Sequence, residues 1–308
     1  MAINTIGKSY ATPTSFERAL TDHAQRVVRQ DGGTVQAVTR GFFFQRLTAR
    51  VFTNEPAGWL LKGGQALLVR YPSFARLSAD IDLQRLHGTT EEALAALLAG
   101  AAVDLRDHLK FVPQRTKPHG TDGDGIKQAF DVYIGTRKRD TIHVDLVTGK
   151  NVTAAPADFQ LMPRPDLPWP NDWPQIRLYP VVDHLADKVC AMYEWHGAHR
   201  SSRYRDLADI LLISQNETIA AGEAHHALHT EARWRVKVGT KLQLPSEFQI
   251  PEPGWRAGYA AAAKDVAGLR GCSTWDAAAP AAEAFITPLL GEAFHGRWYP
   301  DKAEWVRE

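Results

Sequence analysis

The sequence predicts an α+β protein: a central mixed sheet with helices, a helical N-terminal element before it and a helical C-terminal domain after it. Three observations carry that prediction. Apolar residues recur at helical spacing at both ends of the chain, short alternating or fully apolar runs cluster in the middle, and a proline-rich stretch divides the middle from the end. A chain of 308 residues is long enough for about two domains of ordinary size.

The elements follow in order. Thr14-Ser-Phe-Glu17 has capping-box spacing, and Phe16, Leu20, Ala24 and Val27 continue it at helical intervals. Gly32 and Gly33 close that helix, and a second runs over about 34–51, so residues 1–57 form the helical N-terminal element. From 58 to 150 the pattern changes. Trp59-Leu-Leu is a short apolar run that stops at Lys62-Gly-Gly64, residues 65–71 read as a short helix, and Ile81-Asp-Leu reads as a strand. Thr89-Thr-Glu-Glu92 opens a helix to about Leu109, and strand patterns follow near 111–115, 129–134 and 142–147. Pro156, Pro163, Pro165, Pro168, Pro170, Pro174 and Pro180 then exclude long regular structure, which makes 151–180 a linker. Helical patterns over 181–197, 203–230, about 255–268 and 274–290 make up a C-terminal domain of residues 181–308.

Composition narrows the function. With 36 basic and 35 acidic residues the net charge is +1, so any nucleic-acid surface must be local. Cys190 and Cys272 stand alone and far apart, giving neither a disulfide framework nor a zinc motif. Cys190 is expected in a helix core. The first residues lack a charged segment followed by an apolar one, and no apolar run approaches the ~20 residues that span a bilayer. A cytoplasmic protein without a membrane partner is expected.

Chemistry concentrates in Lys62-Gly63-Gly64 followed by Arg76-Leu-Ser78-Ala-Asp80-Ile-Asp82-Leu. Paired glycines before a helix let backbone approach a ligand, and a helix N-terminus offers free N–H groups to phosphate. Asp80 and Asp82, two apart on a strand, share one side. Such carboxylates repel unless a divalent cation lies between them, and magnesium carrying a nucleoside triphosphate meets that need. Asp145 in Ile142-His-Val-Asp145-Leu-Val alternates correctly to be a third carboxylate on a neighbouring strand.

Leu61-Lys-Gly-Gly-Gln-Ala-Leu67 with Ser78-x-Asp-x-Asp82-Leu resembles the AbiEii/AbiGii toxin family of nucleotidyltransferases, the MenT-like group of type IV toxin–antitoxin systems within the polymerase-β superfamily. Asp187-Lys188-Val-Cys-Ala-Met and then Arg203-Tyr-Arg-Asp206-Leu-Ala-Asp209-Ile resemble the later motifs of that family. The resemblance covers about residues 55–215 and implies a polymerase-β-type core. It implies that Asp80 and Asp82, with Asp145, hold Mg2+, and that Asp145 serves as general base. Lys62, Gly63, Gly64 and Ser78 would contact the triphosphate. Lys188 would neutralise phosphate charge, with Asp206 or Asp209 orienting it. Taken without the resemblance, Lys188 reads as a solvated helix lysine, and Arg205 with Asp209 as an i,i+4 surface pair.

The resemblance further implies transfer of a nucleoside monophosphate from NTP to an RNA 3′ end, the tRNA acceptor stem, with translation arrest, and a cognate antitoxin as partner. Arg137, Lys138 and Arg139, in an expected hairpin, and Arg200, Arg203 and Arg205 are the candidate RNA cations. The alternatives are transfer to a protein or small-molecule hydroxyl, or a non-catalytic binding module. His225, His226 and His229 have helical metal spacing but no completing ligand, and read as surface. No motif announces which base is used.

Overall fold

The computed structural model describes residues 10–119, 125–162, 164–167 and 173–308. Pro163, Pro168 and Pro170 of the proline-rich stretch, and the first residues read above for a leader, lie outside them. The chain forms two compact units, one of residues 1–65, 77–150 and 158–178, the other of 66–76, 151–157 and 179–308.

The first unit is built on a seven-stranded mixed sheet of β1 (Trp59–Lys62), β2 (Ile81–Arg85), β3 (Leu109–His119), β4 (Gly125–Ile134), β5 (Arg137–Val147), β6 (Ala157–Gln160) and β7 (Gln175–Leu178), in the order β3-β4-β5-β2-β1-β7-β6. β2 pairs antiparallel with β1 and parallel with β5, while β3, β4 and β5 form an antiparallel meander. Strand alternation buries Phe130, Val132, Ile142, Val144 and Leu146 on one face and turns Lys127, His143 and Asp145 to the other.

Helices α1 (Pro13–Asp31), α2 (Val35–Asn54) and α4 (Thr90–Ala101) belong to this unit. The capping box of α1 is Thr12 with Ser15, not Thr14 with Glu17, since Pro13 occupies the first helical position. Thr89 and Glu92 do form the expected box on α4. That helix ends at Ala101 rather than near 109, because Leu109 already pairs with Ile134 across β3 and β4. The strands also outrun their local patterns. β5 begins at Arg137 because a two-residue turn through Gly135, at φ +60, returns the chain directly from β4. Between Pro156 and Pro180 the chain contributes β6 and β7, which the proline density did not suggest.

One ion cluster lies inside this unit. Arg46 Nε donates to Asp107 Oδ2 at 2.7 Å, Arg50 bonds both Asp107 oxygens, and the Arg46 guanidinium lies 4.5 Å from the Trp173 ring centroid.

The second unit holds most of α3 (Gly63–Arg70), with α5 (Val181–Tyr193), α6 (Tyr204–Ser214), α7 (Ala221–Lys237), α8 (Trp255–Ala263) and α9 (Trp275–Leu290). Val189, Cys190, Leu211, Ile213, Phe285 and Ile286 lie in its core, so Cys190 packs as expected. The single pattern over 203–230 resolves into α6 and α7, separated by β10 (Ile219–Ala220). α5 stops at Tyr193, before a hairpin of β8 (Trp195–His196) and β9 (His199–Arg200). β10 joins β11 (Gly296–Tyr299) and β12 (Glu304–Arg307) in a small antiparallel sheet that periodicity did not reveal. Among the described residues no helix is long and apolar enough to cross a membrane.

Candidate active site

The register of the large sheet builds a charged row across four strands. Lys62 of β1 pairs with Asp82 of β2, Asp82 with Asp145 of β5, and Asp145 with Lys127 of β4. Directly paired residues project from the same face, so the row reads cation, carboxylate, carboxylate, cation. Lys127 Nζ lies 3.2 Å from Asp145 Oδ1 and 3.3 Å from Oδ2. Lys62 is buried at the other end.

Two glycines hold the start of α3 against the same carboxylates. Gly63 has φ +59, and a Cβ there would lie 1.7 Å from Asp82 Oδ2. A Cβ on Gly64 would lie 2.8 Å from Ser78 Oγ. Only glycine permits this approach, which sets the first turn of the helix beside Asp82 and Ser78. Ser78 Oγ donates to the Asp80 carbonyl at 3.0 Å and lies 3.3 Å from Asp80 Oδ1. Gly63, Gly64, Ser78, Asp80, Asp82 and Asp145 are thus gathered within the first unit.

Lys188 belongs to a second cluster. Its Nζ donates to Asp206 Oδ1 at 2.9 Å and to Asp209 Oδ2 at 2.6 Å. Arg76 bonds both oxygens of Asp209, at 3.2 and 2.9 Å, and Arg203 Nε donates to Asp206 Oδ2. Lys188 is 4% exposed and Asp209 fully buried, which corrects the reading of a solvated lysine and of an Arg205–Asp209 surface pair. Arg205 is exposed, while Asp209 faces inward. Burial disfavours the Lys188 charge, but Asp206 and Asp209 outweigh it and raise the ammonium pKa above its usual value. Burial likewise acts to raise Asp206, but Lys188 and Arg203 outweigh it and hold the carboxyl below the ordinary range.

Most of the expected RNA cations are engaged within their own unit. Arg137 and Lys138 open β5, but Lys138 pairs with Asp131 at 2.7 Å and Arg139 with Glu17. Arg203 is engaged by Asp206, and Arg200 stacks 4.3 Å from the Trp195 ring centroid. The sequence reading missed Lys127, Arg76 and the cations of β3. Leu109–His119 contains no acidic residue, and its Lys110, Arg115 and Lys117 are exposed, with Lys117 in register with Lys127. An acid-free strand was visible in the sequence; its place beside the carboxylate row depended on register.

The donor set fits a divalent cation. Asp82 and Asp145 are like charges in direct cross-strand register, and Asp145 Oδ1 is buried and accepts no hydrogen bond. Among the described residues no group of three or more His, Cys, Asp or Glu side chains makes a metal site by itself. A hard cation that completes its shell with phosphate oxygens needs only one or two protein carboxylates. His225 and His229 lie together with ring centroids 4.1 Å apart, and burial followed by the His225 charge lowers the His229 pKa.

A mixed sheet with adjoining carboxylates beside a glycine-opened helix defines a nucleotidyltransferase core. The sequence profile of the nucleotidyl transferase AbiEii toxin family, of type IV toxin–antitoxin systems, matches residues 45–280, and the chain belongs to that family. It is therefore a nucleotidyltransferase toxin, and membership implies a nucleotide substrate and an antitoxin partner. No curated protein matches it in sequence. The fold is similar to that of MenT4, a nucleotidyltransferase toxin from Mycobacterium tuberculosis H37Rv, with TM-score 0.53 and 18% identity over 80% of this chain and 89% of that one. A protein from H. pylori aligns at TM-score 0.39 and 13% identity over 65% of this chain and 78% of that one.

Proposed function

We propose that this toxin transfers a nucleoside monophosphate from NTP to the 3′ end of an RNA, the tRNA acceptor stem, in the cytoplasm, and so arrests translation. The observation that carries the enzymatic reading is the Asp82–Asp145 register, with Gly63, Gly64 and Ser78 packed against Asp82 and Asp80. Two adjoining carboxylates on one sheet face repel unless positive charge lies beside them, and a divalent cation suits this donor set.

Asp82 and Asp145, with Asp80 just before β2, would hold Mg2+. When bound, the ion would supply positive charge to the phosphate oxygens as negative charge develops on them. The N–H groups that open α3 at Gly63 and Gly64, the Ser78 hydroxyl and the Lys62 ammonium orient the triphosphate. Asp145 takes the proton of the acceptor hydroxyl. The freed oxygen attacks the α-phosphorus in line, the bond to the bridging α–β oxygen breaks, and pyrophosphate leaves.

The RNA reading is supported by the acid-free cationic strand β3, whose Lys117 stands in line with Lys127 and Asp145. The test incubates the protein with magnesium, each labelled triphosphate in turn, and total tRNA, a protein mixture or small alcohols. Label at tRNA 3′ ends is expected. Label only on protein or on a small alcohol would replace the RNA acceptor, and no transfer to any acceptor would overturn the enzymatic reading.

A further inference from the structure

Two lysine–aspartate pairs stand on the same open face of the sheet, and they differ in how the carboxylate is satisfied. Asp131 accepts from Thr141 Oγ1 at 2.7 Å as well as pairing with Lys138 at 2.7 Å. Both contacts are short and end on Asp131 Oδ1. Asp145 has Lys127 at 3.2 and 3.3 Å, and its buried Oδ1 accepts no hydrogen bond. Lys127 therefore faces Oδ1 at 3.2 Å without hydrogen-bond geometry, a looser hold than the 2.7 Å pair at Asp131.

The flanking cations also differ. Lys62, beside Asp82, is buried, whereas Lys127 is half-buried and has the cationic Lys117 as its neighbour in register on the far side. Lys127 therefore has both the room to leave Asp145 and a like charge beside it that weakens its hold.

We infer that Lys127 is a resident counter-cation for the carboxylate row. It neutralises the Asp82–Asp145 pair before the divalent ion binds, competes with that ion for Asp145, and is released when the ion arrives. Lys127 is a positioning residue here, acting through Asp145. The inference rests on the reading of Asp82 and Asp145 as metal ligands.

An ammonium within a few ångströms of a dication opposes it even in a water-like medium, so removing the charge should tighten metal binding by about tenfold or more. The probe is Mn2+ alone, without nucleotide, titrated into the full chain and followed by the electron paramagnetic resonance signal of the free ion. Lys127→Met and Lys127→Gln are expected to bind Mn2+ more tightly than wild type, and Lys127→Arg to stay near it. A lysine that merely props Asp145 in place would give the opposite sign, so equal or weaker binding by Lys127→Met and Lys127→Gln overturns the inference. Asp82→Asn in the same titration separates the two levels. If it binds Mn2+ as wild type does, the carboxylate reading itself has failed; if it loses the ion while the Lys127 variants are unchanged, only the counter-cation is wrong. Far-ultraviolet circular dichroism confirms that each variant is folded.

Discussion

Gly63 and Asp82 occupy the same space to within a methyl group: a Cβ on Gly63, built at its φ of +59, would fall 1.7 Å from Asp82 Oδ2. Gly63→Ala must therefore move the carboxylate or the start of α3, besides adding left-handed strain of about 1–2 kcal/mol. Transfer is expected to fall by about a hundredfold, the cost of misplacing a reacting group by an ångström. Gly197→Ala is the matched control, since Gly197 has φ +64 with nothing within 4 Å of its Cβ position. It should lose similar stability in a thermal melt and keep full activity; equal activity in the two variants would show that the Gly63–Asp82 approach is only structural.

Asp80→Ala should abolish nucleotide transfer, by about a hundredfold or more on the scale of single electrostatic contacts in active sites. The fold should survive, because the hydrogen-bond partner of that carboxylate is Ser78 Oγ at 3.3 Å. Labelled-nucleotide incorporation and a thermal melt check the two halves. A variant that transfers at the wild-type rate would remove Asp80 from the site.

Ser78 offers a graded test. Its hydroxyl bonds the Asp80 carbonyl and leaves no room for a Cβ on Gly64, so the space around it is small. Ser78→Ala loses one modest contact and should keep part of the activity. Ser78→Glu adds charge beside Asp80 and Asp82 and should stop triphosphate binding in a calorimetric titration. Similar triphosphate affinity in the two variants would leave Ser78 as a loop-capping residue.

Buried charge governs the pH dependence of stability. Burial alone would raise the Asp107 carboxyl, but the hydrogen bonds and charges of Arg50 and Arg46 outweigh it and hold its pKa below the ordinary value. A depressed carboxylate contributes stability that is fully present above its unfolded pKa of about 4 and is lost as pH falls through the lower folded value. Melting temperature should therefore drop steeply on the acid side, and less so in Asp107→Asn. That variant should be about 3–5 kcal/mol less stable at neutral pH, since both guanidinium groups stay buried without a counter-charge. Parallel acid limbs in the two proteins would exclude Asp107 as the source.

Charge reversal on the exposed strand, Lys110→Glu with Arg115→Glu and Lys117→Glu, should raise the half-saturating RNA concentration and leave triphosphate affinity unchanged. Each lost phosphate contact should also reduce the salt slope by about 0.7 for a single strand. Transfer rates against tRNA concentration at two salt levels measure both quantities. Reversal at Lys138 and Arg139 should instead cost stability, since those charges pair with Asp131 and Glu17.

The sequence by itself determined what is local. Paired glycines opening a helix, a strand from Ile81 that carries Asp82 with Asp80 in the bend before it, the Thr89–Glu92 box and the α+β order are each written within a few adjoining residues, where dihedral preference and side-chain period act directly. Tertiary structure decided what depends on partners distant in the chain. The helix expected to reach 109 stops at Ala101 because β4 claims Leu109, and β11 and β12 exist because β11 pairs with β10 on one side and β12 on the other. Lys127 meets Asp145 only through the β4–β5 register, which the turn at Gly135 and a bulge after Val132 set together. Lys188 looked solvated because its neighbours in sequence do not show that Asp206 and Asp209, on another helix, remove it from water. Helical and strand periodicity specify which face of an element is apolar, but the charge that stands opposite a given side chain follows from long-range pairing, whose energy no local window of sequence contains.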